Sequence, residues 1–318
     1  MKQTPLTEQT DENAHDHQAL QQSIAAVSGK LFDKPEQIRL AFACLLSEGH
    51  LLIEDRPGLG KTTLALAMAQ TLGLKHKRVQ FTSDMLPSDI LGVSIYHRET
   101  EKFVFHKGPV FTQLLLADEL NRGTPRTQSA LLEAMAERQV SVDGTTWSLA
   151  QPFFVIATQN PLDEAGTFPL PDSQLDRFNL SISLGYPEPQ AEKRLYHPTH
   201  LQAMKQPLPA LLDESRLRSL QRHTRSVHAD ESVVDYLQDL ISATRRHPDV
   251  LTGLSPRAGL ACFRTAQALA IIDNRNYLLP EDIQTAFLPV ARHRLRSLSG
   301  KQQGEQLAQN ILQQTAVR

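Results

Sequence analysis

The chain has 318 residues, enough at ~150 residues per domain for about two domains with cores of their own, which excludes a small stapled module. Hydrophobic residues make up 40 % and charged residues 21 % of it, a composition of neither a disordered nor a membrane-embedded protein. Lys and Arg total 33 against 35 Asp and Glu, a formal charge of −2, so no global positive field draws the chain to nucleic acid or anionic lipid.

The first residues, MKQTPLTEQTDENAHDHQ, have several acids and no apolar core, which excludes a secretory signal and predicts a mobile tail over 1–18. Apolar residues then recur at helical spacing from Ile38 to Leu46, and the helix is expected to end near Gly49. A short buried strand, His50 to Glu54, runs into Pro57-Gly58-Leu59-Gly60-Lys61-Thr62, and a Leu- and Ala-rich helix follows from Thr63 to Leu72. Further strands are predicted at Arg78 to Thr82, at Leu114 to Ala117 before Asp118-Glu119, at Phe153 to Ala157 before Thr158-Gln159-Asn160-Pro161, and at Phe178 to Leu184. Continuous apolar strands separated by helical stretches such as Gln128 to Arg138 indicate an α/β fold, a parallel five-stranded sheet flanked by helices. In such a sheet functional groups collect at the carboxyl ends of the strands, where these polar dipeptides fall.

Two further segments read as hairpins. Val93 to His97 and Lys102 to Phe105 flank a polar turn within an insert at 93–107, and Gln139 to Val142 and Thr145 to Leu149 are joined through Asp143-Gly144 within 139–150. Beyond Pro207 and Pro209, helical periodicity at Ser232 to Thr244, Pro256 to Ile272 and Pro280 to Ala291, with no credible strand, predicts a smaller all-α domain. A Gln-rich stretch after Gly300 places Leu307, Ile311 and Leu312 on one face of a terminal helix.

The glycine loop is the first chemical signal. Consecutive backbone N–H groups wrap phosphates there, Lys61 reaches the β- and γ-phosphates and the Thr62 hydroxyl suits Mg²⁺. The first position of the general pattern holds Asp55 instead of Gly, so the loop alone carries little weight. Asp118 suits Mg²⁺ and Glu119 the activation of water, although an acidic pair also caps helices. Asn160 suits positioning of that water, and Arg177 and Arg257 suit transition-state charge on a phosphoryl group. Each has a plainer reading, a turn or a surface arginine; their joint order at successive strand ends gives the set its force.

With those residues in order, the sequence resembles a MoxR-type AAA+ ATPase of the helix-2-insert clade from about residue 20 to residue 296. The stretches that carry the likeness include Glu54 to Thr62, Ser88-Asp-Ile-Leu-Gly92, Gly108-Pro109, Ala117 to Arg122, Thr127 to Met135, Ala157 to Pro161, Gly166 to Pro171 and Ser255 to Ala258. An acid at the position of Asp55 is familiar in that family. The resemblance implies that Pro57 to Thr63 are Walker A, with Lys61 and Thr62 at its heart, Asp118 and Glu119 Walker B, Asn160 sensor 1 and Arg257 sensor 2. Arg177 would be an arginine finger acting on a neighbouring subunit, with Arg122 and Arg126 as competitors for that role. It further implies ATP and Mg²⁺, a nucleotide core over 19–205, a helical lid over 206–318, hairpins aimed at a ring axis, a homo-oligomeric hexamer, and a protein client served with a von Willebrand factor A-domain partner.

The function so implied is remodelling or maturation of protein complexes. Alternatives are a nucleic-acid motor of the related MCM branch and a ring scaffold with little turnover. The 139–150 hairpin has no Lys or Arg, and in the 93–107 insert Glu99 and Glu101 oppose Arg98, Lys102 and Lys107; nucleic acid is therefore not an expected partner. GTP in place of ATP is not excluded by any motif. Cys44 and Cys262 are the only cysteines and read as buried small residues in a reducing, cytoplasmic setting, without direct membrane insertion. The 12 histidines form no ligand motif, are expected at surfaces and caps, and leave the nucleotide's Mg²⁺ as the only metal predicted.

Overall fold

A computed structural model describes residues 6–160, 166–197, 204, 206–298, 300 and 303–317, with side chains from residue 14 onward. Pro161, Pro198 and His200, named above in motifs or histidine pairs, lie outside these residues. The chain runs α1 (Leu6–Ser28), α2 (Pro35–Leu46), β1 (Leu51–Glu54), α3 (Lys61–Thr71), β2 (His76–Gln80), α4 (Pro87–Leu91), β3 (Gly92–His97), β4 (Lys102–Lys107) and β5 (Leu114–Asp118). It continues through α5 (Pro125–Glu137), β6 (Gln139–Val142), β7 (Thr145–Ser148), β8 (Phe154–Gln159), α6 (Asp172–Leu175), β9 (Leu180–Ile182) and α7 (Pro189–Leu195). The last third holds α8 (Glu214–Ser226), α9 (Glu231–Arg246), β10 (Val250–Thr252), α10 (Pro256–Ile272), α11 (Pro280–Ala291), β11 (Arg296–Ser297) and α12 (Gly304–Gln314).

The main sheet has five strands in the order β2-β5-β8-β1-β9, and every pairing in it is parallel. Period-two alternation sends neighbouring residues to opposite faces. Leu51, Ile53, Leu114, Leu116, Phe154 and Ile156 enter one apolar core, while Leu52, Leu115, Ala117, Val155 and Ala157 enter another. Burial on both faces explains why these strands read as continuous apolar runs. The first core extends through Leu217, Leu240, Leu269, Phe287 and Ile311, so the C-terminal helices and the sheet are packed over shared apolar side chains.

Helix starts follow local chemistry. Thr124 accepts the N–H of Thr127 ahead of Pro125, Asp213 accepts the N–H of Arg216, and Ser255 accepts the N–H of Ala258 ahead of Pro256. Both inserts are antiparallel hairpins, β3 with β4 and β6 with β7, and Phe105 stacks on Trp147 at 5.1 Å between ring centres to join them. The base of the β3–β4 hairpin requires glycine: a Cβ on Gly92 would lie 2.3 Å from the carbonyl oxygen of His106, and one on Gly108 2.3 Å from that of Ile90. No helix resumes between this hairpin and β5.

Four expectations change. Residues 6–18 of the predicted tail are the first part of α1, and Asp16 is buried in an ion pair with Arg216 at 2.7 Å; a partner 200 residues away is invisible to local composition. The all-α third contains the antiparallel pair β10–β11, too short and too exposed to leave a hydrophobic alternation. Helix α8 leaves no apolar periodicity in the sequence, because Leu217 and Leu220 are its only apolar residues, both of them buried. Finally, His50 and His293 are buried, not superficial.

Candidate functional site

Strand β8 lies between β1 and β5, so the carboxyl ends of these three strands bring the glycine loop, Asn160 and the Asp118-Glu119 pair side by side. Gly58 and Gly60 adopt φ of 82° and 93°, a left-handed backbone that glycine enters at no side-chain cost. Gly60 opens α3 without a side-chain cap, which leaves the first-turn N–H groups and the positive end of the helix dipole facing the cleft. The resulting cleft, about 360 Å³ in volume, is bordered by the loop and by Lys61, Thr62, Thr63, Arg78, Gln80, Asp118, Glu119 and Asn160. Leu59 is not among its lining residues.

Lys61 is buried and its Nζ donates to the main-chain oxygen of Asp55 at 2.6 Å. The Asp55 carboxylate accepts the N–H groups of Leu184 and Gly185 at 2.7 Å each and the hydroxyl of Ser183 at 3.1 Å. The acid standing where the general pattern has glycine thus ties the loop to the chain leaving β9.

Asp118 is held from two sides: the Thr158 hydroxyl donates to Oδ1 at 2.6 Å, and Arg78 places Nη2 2.7 Å from Oδ2. Thr158 Oγ also accepts the Glu119 N–H at 2.8 Å, so one hydroxyl fixes both acids. Glu119 sits at a φ of 54° and pairs with Arg122 Nε at 3.0 Å. A left-handed φ in a non-glycine residue is costly and tends to persist where function demands it. Arg78, Thr158 and the carboxylate of Asp55 escaped the sequence reading. Thr158 lies two residues before Asn160 on the same strand, and Arg78 shares a face of β2 with Gln80, to which it donates at 3.2 Å; those positions were the available signal.

Arg177 and Arg257 are elsewhere. Together with Arg138, Arg264, Arg294, Glu48 and His50 they border a separate cavity of about 250 Å³, and neither borders the cleft of the glycine loop. Residues 47–50 precede β1 and residues 177–179 precede β9, so this cavity lies at the amino ends of the strands. A four-residue strand such as β1 spans ~13 Å. Arg177 Nη1 donates to the Leu132 oxygen at 2.7 Å. Beside it Arg294 is buried against Asp176 at 2.7 Å and the main-chain oxygens of Phe178 and Asn179. Burial lowers its pKa, and the Asp176 carboxylate opposes that shift. Of the competitors for the finger, Arg122 is engaged by Glu119 and Arg126 is exposed.

The donor set fits a magnesium nucleotide: uncapped helix N–H groups and Lys61 for phosphate oxygens, the Thr62 hydroxyl and the Asp118 carboxylate for the ion. Fold and cleft define a AAA nucleotide-binding domain. Residues 50–180 match the family described as "ATPase family associated with various cellular activities (AAA)", and residues 242–315 match the AAA lid domain. Chaperone MoxR1 of Mycobacterium tuberculosis is 36 % identical over 285 residues, 87 % of this chain and 75 % of its own. The uncharacterised YeaC of Bacillus subtilis is 44 % identical over 271 residues, 84 % of each chain. A crystal structure from Cytophaga hutchinsonii, provisionally described as that of an ATPase, superposes with a TM-score of 0.90 at 32 % identity and covers 98 % of this chain and 99 % of that one. This chain belongs to the MoxR family of AAA+ ATPases.

Proposed function

We propose that the protein is a Mg²⁺-dependent ATPase that works as a homo-oligomeric ring, hexameric by family resemblance, and remodels or matures other protein complexes. One observation carries the ring: Arg177 and Arg257 lie at the amino ends of the strands while the glycine loop lies at the carboxyl ends. This separation favours a second copy as the source of the arginines that meet each nucleotide.

In this reading the loop Pro57 to Thr63 and Lys61 hold the phosphates, and Thr62 and Asp118 hold the ion. Bound Mg²⁺ would neutralise phosphate charge. Glu119 orients the attacking water and takes its proton, Asn160 positions that water, and Arg177 and Arg257 of one subunit reach the nucleotide of the next. The chain divides into a nucleotide core over 19–205 and a lid over 206–318 that moves with hydrolysis.

A protein client is favoured over nucleic acid by the β3–β4 hairpin, where Phe103 is 72 % exposed beside Tyr96 and Ile95. Apolar exposure of this kind suits polypeptide rather than a phosphate backbone. A von Willebrand factor A-domain protein is the partner proposed from the family. Both cysteines are buried free thiols, in keeping with a cytoplasmic setting, and among the described residues no helix is long and apolar enough to cross a membrane.

The test is native co-purification with Glu119→Gln, which should retain ATP and hold partner complexes, together with mass measurement with and without ATP. Recovery of a monomer under both nucleotide conditions would refute the ring, and recovery of the ring without any partner would refute remodelling.

A further inference from the structure

A third cavity, about 200 Å³ in volume, opens where the end of α2 and the start of β8 meet α8. Four arginines line it. Arg218, Arg222 and Arg225 follow the i, i+4, i+7 spacing that puts residues on one helical face, and Arg138 comes from the end of α5. Of the lining residues only Glu48 is acidic, and its carboxylate is shared by Arg138 at 3.2 Å and by Arg225. Arg218 pairs with Glu214 at 2.6 Å and donates to the Gln151 oxygen at 2.6 Å, while its buried Nε has no partner. Among the described residues Arg222 has no hydrogen-bond or ion-pair partner, and it is exposed.

Four guanidinium groups facing two carboxylates leave a surplus of positive charge, and one buried N–H donor, Arg218 Nε, is without a partner. Like charges held together repel, and an unpaired buried donor is costly, so apolar packing alone gives no reason for this lining. A compact oxyanion meets both deficits, since a guanidinium fork matches two oxygens of a phosphate group. The volume falls below the ~300–1,000 Å³ of pockets that enclose drug-sized ligands, which limits the occupant to a group of about phosphate size. We propose that this cavity is a phosphate-binding site, separate from the nucleotide cleft, whose ligand braces α8 against the sheet through Arg138, Arg218 and Arg222.

The experiment is calorimetric titration of the full chain carrying Lys61→Ala, which disables the glycine loop, with inorganic phosphate at constant ionic strength set by sodium chloride. Saturable binding is expected, weakened about tenfold by Arg222→Ala, one charge-assisted contact's worth, and unaffected by Arg246→Ala on α9. A parallel titration with glycerol phosphate separates the sources: tighter binding of the ester marks a phosphorylated metabolite, and tighter binding of the free ion marks inorganic phosphate. Arg222 is exposed and unpaired, so its variant should fold, and an unchanged thermal transition without phosphate verifies this. Absence of saturable binding, or equal binding by the Arg222→Ala and Arg218→Ala variants and their parent, overturns the proposal.

Discussion

The ammonium of Lys61 lies 2.6 Å from the main-chain oxygen of Asp55, and the side chain of that same Asp55 accepts the N–H groups of Leu184 and Gly185. The lysine proposed to meet nucleotide is therefore one residue removed from the chain that leads out of β9 towards the helical part. Asp55→Ala strands two backbone donors in a nearly buried site. The loss of such charge-assisted bonds should cost ~2 kcal/mol, at about 1–3 kcal/mol per stranded donor or acceptor before relaxation. Denaturant unfolding measures it; a change within about 0.5 kcal/mol, typical of a neutral surface substitution, would show that the carboxylate only decorates the loop.

Glu119 is paired with Arg122 and positioned through Thr158, which leaves its carboxylate on the cleft. Glu119→Gln keeps the shape and removes the base. Turnover in the assembled protein should fall by about 10²–10⁴-fold, the usual contribution of a positioned base, while nucleotide affinity changes little. Steady-state phosphate release and equilibrium binding of a fluorescent ATP analogue separate the two quantities; hydrolysis at the parent rate would remove Glu119 from the mechanism.

Much of this architecture was legible because local chemistry wrote it. The three central strands β1, β5 and β8 appear as apolar runs ended by polar residues, and Asp143-Gly144 announced the β6–β7 hairpin through its turn geometry. What escaped depends on long-range partners. Asp16 reads as one acid among several until Arg216 meets it, Arg78 as an exposed strand residue until β2 pairs with β5, and His50 as one of 12 histidines until Val155 and Met135 close around it. The motif order likewise named Arg177 and Arg257 without revealing that both stand at the other end of the sheet from Lys61.

That separation yields a complementation test. Lys61→Ala removes the phosphate contact and Arg177→Ala the proposed finger, worth about 10³–10⁵ in rate in related phosphoryl transfer. Each variant alone should be nearly inactive. Mixed in equal amounts, they place an intact Lys61 beside a neighbour's intact Arg177 at about a quarter of random interfaces, and ATPase activity should return to that order. No recovery in rings shown by mass to be mixed would mean that the arginine does not act between subunits.

His50 gives a pH signature that involves no nucleotide. Its Nδ1 accepts the N–H of Val155 at 3.1 Å, and its Nε2 faces the Met135 oxygen at 3.3 Å. Burial lowers its pKa from 6.5 to about 4; the Met135 carbonyl opposes the shift, and the charges of Arg138 and Arg257 add to it. Above pH 6.5 both folded and unfolded forms are neutral here and the group has no effect on the balance. As pH falls below 6.5 the unfolded chain takes up a proton that the folded chain refuses, so stability drops until about pH 4, by ~2 kcal/mol between pH 7.5 and 5. His293, buried and also lowered well below its ordinary value, adds a loss of the same sign. His50→Gln keeps an acceptor and a donor without a titrating ring. Urea unfolding at pH 7.5 and pH 5 should show a difference smaller by ~2 kcal/mol in that variant than in the parent, with the His293 contribution left in both. An identical pH dependence in the two proteins would mean that His50 accepts its proton in the folded state as readily as in the unfolded one.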